Sequence, residues 1–200
     1  MRRWNPSRLS GWCFKLEDSE YSIHAGGIFC ELGTRFCPFH SRFIARVARS
    51  QIEPLIQAFC GDFYLDRGMI VDAVANQSSF NIIHIESSFK IDFFVLRNSP
   101  YHQEEFSRRV LKRVDPGVDL AVDVQAPEDT VLSKLHWYRQ GGAVSDTQWR
   151  DAVGILKAKG TQLDRADMQK WTNELGDFDL LTEATQEAEA VVGPAERRDV

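Results

Sequence analysis

The sequence predicts an α+β protein, with a mixed sheet and flanking helices up to about residue 125 and a helical region after it. Short segments before that point are rich in apolar, β-branched and aromatic residues, which is typical of strands. After Pro127 the apolar residues recur every three or four positions, the spacing of amphipathic helices. We expect an irregular lead-in over 1–19, an α/β domain over 20–125, a helical region over 126–190 docked on it, and a disordered tail over 191–200.

Composition is that of an ordinary soluble globular protein. Of its 200 residues, 43% are hydrophobic and 26% are charged, and no apolar run approaches the roughly 20 residues that span a bilayer. The four cysteines show no framework spacing, and no apolar segment follows Arg2 and Arg3, which favours a cytoplasmic protein with free thiols. The net charge of −5 argues against a general nucleic-acid coat, although residues 1–50 hold eight Lys and Arg against four Asp and Glu.

Strand and helix candidates alternate in the first part. Ser50 is predicted to cap one helix, and Pro100 to open another whose apolar face is Phe106, Val110 and Leu111. Between these two helices lies a predicted short helix over 68–76, in which Met69, Val71 or Ala73, and Val74 are available for packing. The predicted strands are 21–27, 43–47, 63–65 and 118–124, and the predicted helices are 51–60, 68–76 and 100–114.

A hairpin over Phe80–Leu96 organises this part of the chain. Two apolar runs meet at Ser87-Ser88, and in the second run Lys90 and Asp92 fall on one face of the strand. Two interpretations of Asp92 stay open: a solvated carboxylate that pairs with Lys90, or a metal-binding carboxylate on a rigid strand. The opposite, core-facing side is predicted to consist of Phe89, Ile91, Phe93 and Val95.

Four helices are predicted in the second part. The first begins at Pro127 and ends at Gly141-Gly142, and the second is capped by Ser145 or Asp146 and closed by Gly160. The last two cover 163–175 and 178–190, although the Ala/Glu-rich stretch from Glu183 onward is expected to fray.

Two further motifs precede residue 50. Gly26 and Gly27 lie between a predicted strand and a predicted helix, a place where backbone N–H groups can approach a phosphate. Cys30, Cys37 and His40 include zinc-ligand types, but their spacing provides no fourth ligand and neither usual knuckle, which disfavours a zinc site.

Several segments carry a family resemblance that runs from about Ser50 to Leu181. They resemble small bacterial nucleotidyltransferase-like proteins of the DNA polymerase β-type superfamily, which are related to abortive-infection toxins of toxin–antitoxin systems. The segments are Phe80–Glu86, Phe89–Phe93, Phe106–Arg109, Ala126–Leu135, Trp137–Arg139, Ser145–Asp151, Leu163–Asp164 and Trp171–Leu175.

The resemblance implies a nucleotidyltransferase-like fold and the transfer of a nucleoside monophosphate from a triphosphate to a hydroxyl. It implies Mg²⁺ as cofactor, with Asp92 as a catalytic and metal-binding carboxylate, the third of the family's set. Gly26 and Gly27 match the glycines on the phosphate side, and Lys90 and Lys134 are assigned to the nucleotide. The implied partners are a nucleoside triphosphate and an RNA acceptor or a cognate antitoxin, with no membrane.

One part of the family pattern is missing. Its Asp-x-Asp pair would lie between about Cys37 and Val47, yet no carboxylate occurs from Leu32 to Ile52. This loss suggests a shifted reading frame or a degenerate copy, and it predicts impaired transfer unless Asp62, Asp66 or Glu86 complete the site. The alternative function is a catalytically inactive, nucleotide- or partner-binding regulatory protein of the same fold. The residues in place of the pair are basic: Arg35, His40, Arg42, Arg46 and Arg49.

Overall fold

The structure is a computed structural model that describes residues 21–24, 40–115 and 120–190. The chain divides into two compact units, residues 1–125 and 126–200. Gly26, Gly27, Cys30 and Cys37 lie outside the described residues, as do the predicted lead-in and tail.

The first unit is built on a mixed seven-stranded sheet of order β3-β4-β5-β2-β1-β7-β6. The pairs β2–β5 and β1–β7 are parallel, and the other neighbours are antiparallel. The strands are β1 Tyr21–His24, β2 His40–Ala45, β3 Phe63–Tyr64, β4 Ser79–His84, β5 Lys90–Val95, β6 Val110–Asp115 and β7 Leu120–Val124. The helices are α1 Ile52–Phe59, α2 Arg67–Asn76 and α3 Pro100–Ser107. Mixed strand directions and helices between strands confirm the predicted α+β class.

The core of this unit lies on one face of the β4–β5 hairpin, whose antiparallel pairing is as predicted. Phe93 is 3% exposed, and its ring centroid lies 5.5 Å from that of Phe43 and 4.9 Å from that of Phe80. All four side chains predicted to face the core are buried, because alternation along β5 turns one side of the strand away from solvent. The helices α1 and α2 contribute Ile52, Leu55, Phe59, Ile70 and Ala73 to the same apolar cluster.

The helix predicted over 100–114 is wrong in its second half. The helix α3 ends at Ser107, and the chain continues as β6, which pairs antiparallel with β7. Val110 is 43% exposed and Leu111 is 67% exposed, so neither joins Phe106 on a buried helix face. The β-branched residues of this segment favour a strand, and the ladder to β7 provides backbone partners that a helix end cannot.

The start of α1 differs from the prediction, and so does Met69 in α2, whereas Ala73, Val71 and Val74 pack on the apolar cluster as predicted. Ser50 lies inside a 3₁₀ turn over Arg49–Gln51, and the Gln51 side chain accepts a hydrogen bond from the Ala48 N–H at 2.7 Å. Asp66 caps α2 by accepting from the Met69 N–H at 2.8 Å. Ile70, the next residue along α2, is fully buried, whereas Met69 is 44% exposed, because successive helix residues point about 100° apart.

The second unit contains the four predicted helices: α4 Pro127–Gln140, α5 Asp146–Lys159, α6 Arg165–Leu175 and α7 Phe178–Ala190. Among the described residues after Pro127 there is no strand, which confirms the predicted change of architecture. Ala184 and Ala188 are buried within α7, so the fraying expected from Glu183 to Ala190 is wrong. In the part of the chain that the structure describes, no helix has the length and apolar character of a membrane span.

Candidate functional site

Asp92 lies in the middle of β5 between two buried residues, Ile91 and Phe93. Its side chain is 15% exposed, and its Oδ1 lies 2.9 Å from Lys90 Nζ. Residues two apart in a strand share a face, so the sequence spacing itself brings the two groups together. The structure thus contains the lysine pairing of the first interpretation, while the metal-ligand role of Asp92 stays a prediction.

Two more residues lie beside Asp92 through strand register. Asn81 on β4 and Arg42 on β2 are its partners across the two neighbouring ladders. Asn81 is half-buried. The neighbours of the Asp92 carboxylate are therefore Lys90 on the same strand, Asn81 on β4 and Arg42 on β2. None of these three residues is a second carboxylate.

A magnesium ion requires several oxygen ligands in near-octahedral geometry. Within the described ranges, no three His, Cys, Asp or Glu residues come together as a group that could hold a metal ion. Of the alternative carboxylates, Asp66 is already engaged as the cap of α2. Among the described residues, the register neighbours of Asp92 therefore add no second carboxylate beside it, and magnesium as the cofactor stays a prediction. The relation of Asp92 to Gly26 and Gly27 lies outside the described residues.

Lys134 belongs to the second unit, where it forms an ion pair between α4 and α5. Its Nζ lies 2.7 Å from Asp151 Oδ2, and its side chain is only 10% exposed. An ammonium with so little solvent needs such a partner, because burying it alone is costly. The observed contact of Lys134 is thus structural, and its assignment to a nucleotide stays a prediction.

Two guanidinium groups flank Phe106 in the first unit. Arg46, which follows β2, lies 5.1 Å from the ring centroid, and Arg109 lies 4.4 Å from it. Arg109 Nε also donates to Asp123 Oδ2 at 3.0 Å, and Arg46 donates to Gln103 Oε1 at 3.3 Å. Sequence reasoning missed this cluster because it extended α3 beyond Ser107, which placed Arg109 on a helix surface.

A buried carboxylate in the second unit is another feature that sequence reasoning missed. Asp177 is fully buried and accepts hydrogen bonds from His136 Nδ1 at 2.7 Å and Arg139 Nε at 2.6 Å. Arg139 also pairs with Asp179, and Gln140 contacts the other ring nitrogen of His136 at 2.7 Å. We call this set of five residues the Asp177 clamp.

The Asp177 clamp shifts two ionisation equilibria. The hydrogen bonds that Arg139 donates to Asp179 and Asp177 raise the pKa of its guanidinium. The same contact with Arg139 lowers the pKa of the Asp179 carboxyl. The partners are about 40 residues apart in the chain, and no local spacing indicates such a pairing.

A shallow groove of about 610 Å³ lies at the β3–β4 edge of the sheet. Its walls are mostly apolar and include Phe63, Ile83 and His84, and it has no charged residue. Asp92 and Lys90 do not line it, so this concavity is separate from the charged residues of β5.

Comparison with known proteins adds no relative: no model of a protein family matches the sequence, and no curated protein matches it.

Proposed function

We propose that this chain is a nucleotidyltransferase-like protein that binds a nucleoside triphosphate mainly through cationic side chains and transfers a nucleoside monophosphate poorly or not at all. The observation that carries the proposal is the 2.9 Å contact between Lys90 Nζ and Asp92 Oδ1. A carboxylate held by an ammonium group is already neutralised, and an incoming cation would have to displace the lysine.

The electrostatic argument concerns both charges of the pair. A triphosphate is attracted to Lys90 and repelled by Asp92, so the ion pair as a whole exerts little net electrostatic attraction on it. The arginines of the N-terminal quarter add attraction, since a guanidinium donates two parallel hydrogen bonds to phosphate oxygens. Of these, Arg46 is exposed at the end of β2.

Weak catalysis follows from the same arrangement. Phosphoryl-group transfer is accelerated when bound cations are fixed against the charge that develops in the transition state. Side chains that attract the triphosphate equally in the ground state and in the transition state do not raise kcat. We therefore infer binding without efficient transfer, and the alternative function, a regulatory nucleotide- or partner-binding protein, follows from the same charges.

Calorimetry with a nonhydrolysable triphosphate tests this proposal. We expect weak binding that falls as salt rises and changes little between Mg²⁺ and a chelator, together with negligible triphosphate turnover. Glu53→Gln is a suitable control because it removes one carboxylate from an exposed ion pair with Arg67 in the same unit. Strong Mg²⁺-dependent binding, with turnover that Asp92→Asn abolishes and Glu53→Gln preserves, would contradict it.

A further inference from the structure

The turn between β4 and β5 holds a serine against a histidine. Ser87 Oγ lies 2.9 Å from His84 Nδ1. The Ser87 backbone N–H donates to the same ring nitrogen at 3.3 Å, and the Phe89 N–H donates to Ser87 Oγ at 3.3 Å. Because Nδ1 accepts from the backbone, its lone pair points at Ser87, and the serine hydroxyl is the donor in the contact between Oγ and Nδ1. The turn therefore places an alcohol beside a nitrogen that can take its proton.

Backbone and ring contacts fix the position of this serine–histidine pair. The His84 N–H donates to the Phe89 carbonyl at 2.8 Å, and the Ser88 N–H donates to the His84 carbonyl at 2.9 Å. The His84 ring packs edge to face with Phe63, with the ring centroids 5.1 Å apart. A nucleophile and its base must stay within hydrogen-bond distance for the proton to move between them, and these contacts maintain that distance.

The apolar groove of about 610 Å³ at the β3–β4 edge adjoins the pair. His84 and Ser88 belong to its wall, together with the aromatic rings of Phe63 and Tyr64. The described residues of that wall include no charged side chain, so the groove suits an uncharged aliphatic chain better than a charged one. An acyl chain lying in the groove would bring its carbonyl carbon to the margin where Ser87 contacts His84.

We propose that Ser87 is a nucleophile that takes the acyl group from esters with an uncharged aliphatic chain, with His84 as its general base. Ser87 Oγ bonds to the carbonyl carbon of the ester, and the hydroxyl proton passes to His84 Nδ1. The bond from that carbon to the leaving oxygen then breaks, and His84 gives the proton to the leaving alcohol. Water later releases the acyl group from Ser87 as a carboxylic acid. The proposal does not depend on nucleotide binding.

Treatment of the full chain with p-nitrophenyl butyrate, followed by peptide mass mapping, tests the proposal. The p-nitrophenolate group leaves more readily than a serine alkoxide, so the butyryl group should accumulate on Ser87. The exposed neighbour Ser88 is the internal control and should stay unlabelled. Neutral hydroxylamine removes thioesters, such as one formed on Cys60 in the groove wall, and leaves the serine ester in place. Equal labelling of Ser87 and Ser88, or labelling of thiols and lysines alone, would overturn the proposal.

A charged probe tests the part played by the groove. The p-nitrophenyl half-ester of succinic acid carries the same leaving group, but its acyl chain ends in a carboxylate. We expect it to acylate Ser87 at least about tenfold more slowly than the butyrate, because the carboxylate would lose its hydration in an apolar groove. Equal rates with the two esters would refute the selection of an uncharged chain.

Two histidine variants test the role of the base. His84→Gln keeps an acceptor for the Ser87 hydroxyl but cannot take its proton, so acylation should slow by about 100-fold or more. The matched control is His102→Gln, which changes a second serine–histidine contact, 2.6 Å from Ser99 Oγ to His102 Nδ1 at the start of α3, and should leave the rate unchanged. Equal rates in the two variants would refute the role of His84.

The pH dependence of the parent protein does not require any variant to fold. Acylation of Ser87 should fall in acid, because a protonated imidazole cannot accept the hydroxyl proton. A rate that stays the same in acid would overturn the proposal.

Discussion

Asp177→Asn is expected to lower the free energy of unfolding by about 1.5–3 kcal/mol, the usual value of a hydrogen bond to a charged group. The carboxylate is fully buried and accepts from both His136 and Arg139. An asparagine of the same shape loses the charge, and its NH₂ group must either face the Arg139 donor or make His136 accept at Nδ1 in its other tautomer. The loss stays below the roughly 3–5 kcal/mol of a fully buried ion pair, because the Arg139 side chain is 41% exposed and regains water.

Asp179→Asn provides the matched control, because it removes the other carboxylate from the same arginine. The Asp179 side chain is 70% exposed, so we expect a far smaller change. Urea unfolding followed by far-ultraviolet circular dichroism at neutral pH measures both variants. If the two substitutions cost the same, burial does not determine the strength of the Asp177 clamp and the reasoning is refuted.

Three more predictions concern stability. Phe93→Ala should lower the free energy of unfolding in urea by about 3–5 kcal/mol, because it empties the centre of the aromatic cluster. Tyr64→Ala, at a 65% exposed position, should lower it little. Similar losses in the two variants would contradict the assignment of Phe93 to the core. Asp151→Asn should cost about 1.5–3 kcal/mol because it removes the partner of the nearly buried Lys134, and an unchanged midpoint would argue against that ion pair. The pKa of Asp179 is lowered in the folded protein, so its contribution to folding stability is fully present above the unfolded pKa and is lost as the pH falls through the folded pKa. The stability of Asp179→Asn should therefore differ less from that of the parent in acid than at neutral pH. A stability difference that grows in acid would contradict this prediction.

The sequence predicted best those elements whose pattern is local and repeated. The alternation from Phe89 to Val95 determines both the strand and its buried face, and Pro127 and Gly141 mark the two ends of α4 as expected. Such features depend on residues a few positions apart, where backbone preference and burial agree.

The predictions from the sequence failed where contacts between residues far apart in the chain determine the structure. Val110 and Leu111 fit a helical spacing with Phe106, and only the ladder to β7 shows that they form a strand. The contact of Arg139 with Asp177 joins α4 to the residue just before α7, which no single-sequence pattern indicates. Asp92 could be predicted only in part. Strand periodicity implies its contact with Lys90, but it does not indicate which residues lie beside Asp92 on the neighbouring strands.

The affinity of Asp92→Asn for a nonhydrolysable triphosphate, measured by calorimetry without Mg²⁺ and again with it, tests the central claim most directly. If Asp92 mainly neutralises Lys90, removing its charge releases an ammonium for the phosphates, and the affinity should rise roughly twofold to fivefold in both conditions, as expected for a partly exposed ion pair. If Asp92 holds magnesium instead, the substitution should weaken binding, and only when Mg²⁺ is present. That second result would contradict the proposal that this chain binds nucleotides through its cations.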